Sequence, residues 1–261
     1  MAMDPRNPYA APSVPVADLS QQGDDGQFVE GGRTVPSGNG WEWIVEGFNL
    51  FKMNPGIWIL NLIILFGILI VLAIIPVVGN LAINLLYPVF GAGLMLGCHA
   101  LDHNEALEVA HLFAGFKEKT GSLVLVGLLY LVGVVVIVLV VGLFFGFSLF
   151  ASMLTAGHGN FNPMMLLLAV LIAMALSIPL VMAIWFAPAL VVFHDLQPID
   201  AMKQSFMGCM KNIVPFLVYG IIGFVIGIIA LIPAGLGWLV WGPTVVASIY
   251  ASYRDIFIEV A

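Results

Sequence analysis

Three long stretches of this chain carry no Asp, Glu, Lys or Arg: Ile57 to Leu101, Gly121 to His194 and Asn212 to Tyr253. No other feature restricts the possible folds as strongly. A soluble surface needs charge, about a quarter of the residues in a typical domain. Here 9% of residues are charged and 61% are hydrophobic, too little polar surface to cover a core of that size in water. In lipid the balance reverses, because a Lys, Arg or Asp at mid-membrane costs about 2.5–3.5 kcal/mol on insertion scales. The uncharged stretches therefore belong in a bilayer, and the fold class is all-α integral membrane protein.

A spanning helix needs about 20 largely apolar residues. The first block accommodates Ile57 to Ile75 and Leu81 to Ala100, joined by the turn Pro76-Val-Val-Gly-Asn80. The second accommodates Leu123 to Leu149 and Met164 to Phe193, and the third Ile213 to Ile232 and Gly237 to Tyr253. The reading is about six transmembrane helices arranged as three hairpins. Trp58, Trp238 and Trp241 fall near span ends, where aromatic side chains favour the interface.

Charge sets the expected orientation. With the N-terminus inside, all eight basic residues (Arg6, Arg33, Lys52, Lys117, Lys119, Lys203, Lys211 and Arg254) lie in cytoplasmic segments. The outer turns carry none, so the positive-inside rule predicts both termini in the cytoplasm. The start lacks the apolar core of a signal peptide, which leaves insertion to the first span. Residues 1–39 are rich in Pro, Gly, Ser, Asp and Gln and read as a disordered cytoplasmic tail, a possible attachment point for a protein partner. Residues 40–261 form the membrane domain. Scattered basic residues make no nucleic-acid patch, and Cys98 and Cys209 form neither a CxxC pair nor a disulfide framework.

Trp41 to Met53 differs from what surrounds it. Trp41, Ile44, Val45, Phe48 and Phe51 recur at helical spacing with Glu42, Glu46 and Asn49 between them. This predicts an amphipathic helix in the membrane interface, ended by Asn54-Pro55. Related stretches precede the other hairpins: Gly47-Phe-Asn-Leu-Phe-Lys52, Leu112-Phe-Ala-Gly-Phe-Lys117 and Ser205-Phe-Met-Gly-Cys-Met-Lys211. The second helix of each hairpin carries a proline (Pro88, Pro188, Pro243) and ends at an aspartate (Asp102, Asp195, Asp255). Three copies of one unit follow, residues 41–101, 105–194 and 199–255, each a cytoplasmic interfacial helix and a hairpin.

The stretches Gly40-Trp-Glu-Trp-Ile-Val-Glu-Gly-Phe48, Pro88-Val-Phe-Gly-Ala-Gly-Leu-Met-Leu-Gly97, Trp185-Phe-Ala-Pro-Ala-Leu-Val-Val-Phe-His194 and Tyr250-Ala-Ser-Tyr-Arg-Asp-Ile-Phe257 resemble a family of bacterial multi-pass inner-membrane proteins of unknown function. The layout is also similar to the membrane region of glycerophosphodiester phosphodiesterases, without their catalytic domain. The resemblance implies a bacterial inner-membrane location and assigns no activity. Asn7-Pro-Tyr-Ala-Ala-Pro12 is similar to a short leader found ahead of several bacterial membrane proteins.

Polar residues concentrate at Cys98-His99-Ala-Leu-Asp102-His103. His99 and His103, one helical turn apart, share a face and have the spacing to seat a divalent metal, although no HExxH or CxxC accompanies them. The plain alternative is a helix reaching the interface, where polar residues begin. His194-Asp195 and Asp255 occupy the matching places in the other units. Packed together, Asp102, Asp195 and Asp255 would ring a cytoplasmic vestibule, either drawing cations or pairing with Lys203, Lys211 and Arg254. Pairing is the favoured reading, worth about 0–1 kcal/mol per exposed pair. Gly93/Gly97, Gly142/Gly146 and Gly223/Gly227 permit close helix contact, and Pro179 and Pro188 are expected to kink the fourth span. No intramembrane carboxylate suggests an ion-coupled pump, and no cofactor motif occurs. Three functional classes follow: a non-catalytic protein handling lipid or an amphipathic solute, or assisting membrane assembly; a scaffold recruiting partners through its tail; and a membrane-embedded, metal-dependent enzyme using His99, Asp102, His103 or His194.

Overall fold

A computed structural model describes residues 26–156 and 163–259. Among these the regular structure is helical apart from a two-residue ladder pairing β1 (Gln27–Phe28) antiparallel with β2 (Ile258–Glu259). The expected leader, residues 1–25 of the tail and most of the loop before Pro163 lie outside the described residues. The helices are α1 (Asn39–Met53), α2 (Pro55–Ile74), α3 (Val78–Asp102), the short α4 (Val109–Leu112) with a 3-10 turn at Ala114–Phe116, α5 (Thr120–Ala156), α6 (Pro163–Trp185), α7 (Ala187–His194), α8 (Pro198–Lys211), α9 (Ile213–Ile229) and α10 (Trp238–Phe257). Asn54 divides α1 from α2 by leaving helical geometry. Its side chain accepts from the Ile57 N–H, and Pro55 enters the first turn, where no donor is needed.

Four helical segments are long and apolar enough to cross a membrane: Pro55–Ile74, Val78–Asp102, Thr120–Phe147 and Met164–His194. The pair α8 and α9, bent by 83°, makes a fifth if it counts as one span. α9 alone, at 17 residues, is short. α10 has the length, but its second half carries Ser248, Tyr250, Ser252, Tyr253, Arg254 and Asp255. Ser248, Tyr250, Ser252 and Tyr253 are buried against protein, while Arg254 and Asp255 are half-buried.

The packing divides along the three prolines. In α3 the residues before Pro88 are exposed or half-buried, apart from Gly79, and those after it mostly buried. The same change falls near Pro188, between α6 and α7, and near Pro243 in α10. A proline removes one backbone donor and loosens the helix there, and each second helix passes at that point from a lipid-compatible half into a shared core. That core collects Val89 to Leu101, Phe186 to Val191 and Ala247 to Phe257, where Phe186, Leu190, Ile256 and Phe257 are fully covered.

Short helices brace this core from outside. Gly40 of α1 rests on the α9 backbone, where an added Cβ would lie 2.3 Å from the Pro215 carbonyl oxygen. Gly47 rests on α10, where the same atom would lie 2.6 Å from the Ser248 nitrogen and the Thr244 oxygen. Seven residues of helix cover ~10 Å, close to the ~8–10 Å between packed helix axes, so α1 lies across the α9–α10 pair. α4 meets α3 at Gly93, and α8 meets the α6–α7 junction through Ser205, which accepts from Phe186 N–H at 2.9 Å and donates to Met182 O at 2.7 Å. Each short helix therefore braces the second helix of the preceding unit, and the first braces the last.

Two expectations need correction. The last part of the supposed tail is ordered: residues 27–35 run against the C-terminus and α8, with Val29 N–H donating to Phe257 O at 2.8 Å and Arg33 N–H to Ile256 O at 2.8 Å. Asn212, fully buried, accepts from Val35 N–H at 2.9 Å and donates to Arg33 O at 2.8 Å. Composition suggested disorder because this segment orders through backbone hydrogen bonds to distant residues, with little apolar burial of its own. The aromatic belt fails for Trp58 and Trp241, which are 1% and 7% exposed. Trp58 donates to Leu50 O at 3.3 Å, and Trp241 lies beside Gly223 and Gly227. Trp238 alone of the three is exposed.

Candidate functional site

On the polar side of α1 lies a cavity of about 460 Å³, walled by Glu42 and Glu46 of α1, Asp102 at the end of α3, Arg254 and Asp255 of α10, and Arg33 of the N-terminal strap. Asp102 is held by Arg254 and by the Tyr250 hydroxyl, which donates at 3.1 Å. Asp255 is a hub. Its carboxylate accepts from Asn39 Nδ2 at 2.7 Å and Trp43 Nε1 at 2.8 Å and pairs with Arg33 Nη2 at 3.3 Å, while its carbonyl accepts from Arg33 Nε at 2.6 Å. Both guanidinium groups are thus committed to aspartates, which leaves the pocket acidic through Glu42 and Glu46. Partial burial raises the Glu46 pKa from its ordinary value; Arg254 opposes the shift, and Asp102, Asp255 and Glu42 add to it.

The expected ring of aspartates is only partly assembled at one cavity. Asp102 and Asp255 share the pocket, whereas Asp195 is exposed and pairs with Lys119 at 2.5 Å. Of the partners anticipated, Arg254 takes its place, while Lys211 donates to Gly32 O at 2.7 Å. Behind the pocket, His99 Nδ1 lies 3.3 Å from the Tyr250 hydroxyl and the His99 ring lies 4.2 Å from that of His103. His103 Nδ1 lies 2.8 Å from the His99 carbonyl oxygen, and His194 Nε2 lies 2.5 Å from the Tyr253 hydroxyl. Phe193, 5.2 Å from His99 and 5.4 Å from Tyr253, separates the two histidine sites. Among the described residues, no group of three or more His, Cys, Asp or Glu side chains could hold a metal.

The opposite flank of α1 faces a different space. A groove of about 600 Å³ runs between α9 and α10, lined by Trp41, Ile44 and Phe48 of α1, Ile226 and Ile229 of α9, and Val240 of α10. Thr244 also borders it, but its hydroxyl donates to Val240 O at 2.7 Å. α1 thus separates an apolar groove from an acidic pocket. Glu42 and Glu46 were visible in the sequence as the polar face of an amphipathic helix. What that face meets depends on residues from 56 to more than 200 positions away, and Arg33 sat in a segment read as tail.

The chain is 29% identical over 203 residues to a probable inner membrane protein of Burkholderia thailandensis, covering 74% of this chain and 75% of the relative. No family model matches, and no solved structure matches. The apolar, membrane-length helices and this similarity agree. The chain is an integral inner-membrane protein.

Proposed function

We propose that this protein is a non-catalytic binder of an amphipathic molecule, a lipid or lipid-like solute, taken from the bilayer. The observation that carries this reading is the position of α1, with a hydrocarbon-lined groove on one flank and a charged pocket on the other. Both volumes lie within the range of roughly 300–1,000 Å³ common for small-molecule sites. An amphiphile is the ligand class whose two halves match two such environments. The hydrogen-bonded state of Asp102 and Asp255 favours a structural role for them over acid–base chemistry. The reading places six spans in three hairpins, the third with short or partly polar helices, and puts α1, the strap and both chain ends at the cytoplasmic side. The one-sided distribution of Lys and Arg supports that orientation.

The test is photocrosslinking in native-composition vesicles with a lipid carrying a diazirine on its acyl chain. Labelled peptides should come from 41–48, 226–233 and 237–244, and Val240→Trp, which fills the groove, should suppress them. Labelling spread evenly over the outer faces of α2 and α5, unchanged by Val240→Trp, would refute the reading.

A further inference from the structure

We infer that the amphiphile proposed above carries an amine, and that groove and pocket form one site for a cationic head joined to a hydrocarbon tail. This inference rests on that reading and names its ligand class. It starts from how the two spaces meet. On a helix, residues three and four apart form ridges. Glu42, Glu46 and Asn49 make one ridge of α1 and line the pocket, whereas Trp41, Val45 and Phe48 make the next and line the groove. The inward side of the helix is sealed, with Trp43, Ile44, Gly47 and Phe51 buried. On the other side Glu42, Glu46, Phe48 and Asn49 are exposed. Pocket and groove therefore adjoin along the open side of α1, and one molecule can lie across it.

Charge decides which head fits. The cavity of about 460 Å³ has carboxylates and guanidinium groups in its walls, but its positive charges are already engaged. Arg254 pairs with Asp102, and Arg33 with Asp255. Among the described residues, neither Glu42 nor Glu46 has an ion-pair or hydrogen-bond partner for its side chain. These two carboxylates stand one helical turn apart on the same ridge. A primary ammonium brings three N–H donors and no acceptor, which suits a pair of acceptors so placed. A purely anionic head would meet only repulsion from them. Burial raises the Glu46 pKa from its ordinary value, with Arg254 opposing and Asp102, Asp255 and Glu42 adding to the shift. A cation seated there relieves that crowding.

The experiment is a competition in neutral detergent. A phosphatidylcholine with a diazirine on its acyl chain marks residues 41–48, and unlabelled phosphatidylethanolamine or phosphatidylglycerol with the same chains competes for the site. A hydrogen bond to a charged group predicts about tenfold better competition by phosphatidylethanolamine. The double variant Glu42→Gln, Glu46→Gln should erase that preference. Glu118→Gln, which removes an exposed carboxylate outside the pocket, should keep it. Equal competition by the two lipids in the parent would overturn the amine, and this comparison stands even if the double variant misfolds. So would better competition by phosphatidylglycerol, or a preference that survives the double substitution or is lost equally in Glu118→Gln. Free ethanolamine displacing the probe as well as the whole lipid would overturn the shared site. No labelling of 41–48 would refute the binding reading itself, whereas labelling without a headgroup preference would refute the amine alone.

Discussion

Placing a methyl group at Gly47 tests whether α1 truly lies on α10. The added Cβ would sit 2.6 Å from both the Ser248 nitrogen and the Thr244 oxygen and 2.9 Å from the Ser248 Cα. Non-bonded atoms favour about 3.5–4.0 Å, and these neighbours are helix backbone, which cannot rotate away. α1 must lift by most of an ångström. Overpacking of this kind costs about 1–3 kcal/mol, against which Ala gains about 1 kcal/mol over Gly in a helix interior. Gly56 supplies the control, being helical with nothing within 4 Å of its virtual Cβ. The helix gain is broadly shared, so Gly47→Ala should be less stable than Gly56→Ala by about 1–3 kcal/mol. At about 2–4 °C per kcal/mol for a chain of this size, apparent Tm should differ by roughly 2–12 °C. The assay is a thermal melt of detergent-purified protein followed by size exclusion, at one heating rate for both variants. If the two variants melt together, α1 does not make this crossing and the division between groove and pocket goes with it.

Asn212→Ala strands the Val35 amide and the Arg33 and Gly208 carbonyls. It should cost about 1–3 kcal/mol, read as a lower apparent Tm with faster exchange at 33–35; an unchanged melt would mean the strap does not dock. Glu46 predicts a pH effect of known sign. Its folded pKa is raised, so the folded state holds the proton more tightly than the unfolded chain. Stability from that group is fully present below about 4.5 and is lost as pH rises through the raised value. Glu46→Gln should thus match the parent at the acidic end of a melting series and become the more stable of the two toward neutral pH, by a small margin because the carboxyl is half open to water. A Gln variant less stable at neutral pH would contradict the assignment.

The location in lipid, the helical class and the amphipathic Trp41–Met53 helix could be read from the chain itself. Charge exclusion and the 3.6-residue period act on neighbouring residues, and neighbours are what a sequence displays. The prolines and aspartates at matching places were legible too, though not that Pro88, Pro188 and Pro243 would mark where each helix leaves an open surface for a buried one. Pairing across the molecule was invisible. Asp255 meets Arg33 from more than 220 positions away, and whether Asp102, Asp195 and Asp255 share a cavity depends on how the helices are rotated. A charged residue reports only that it avoids hydrocarbon, which makes the membrane assignment local and robust. Which partner it finds there is set by tertiary geometry, because hydrogen bonds and ion pairs act over a few ångströms and several acceptors compete for every donor.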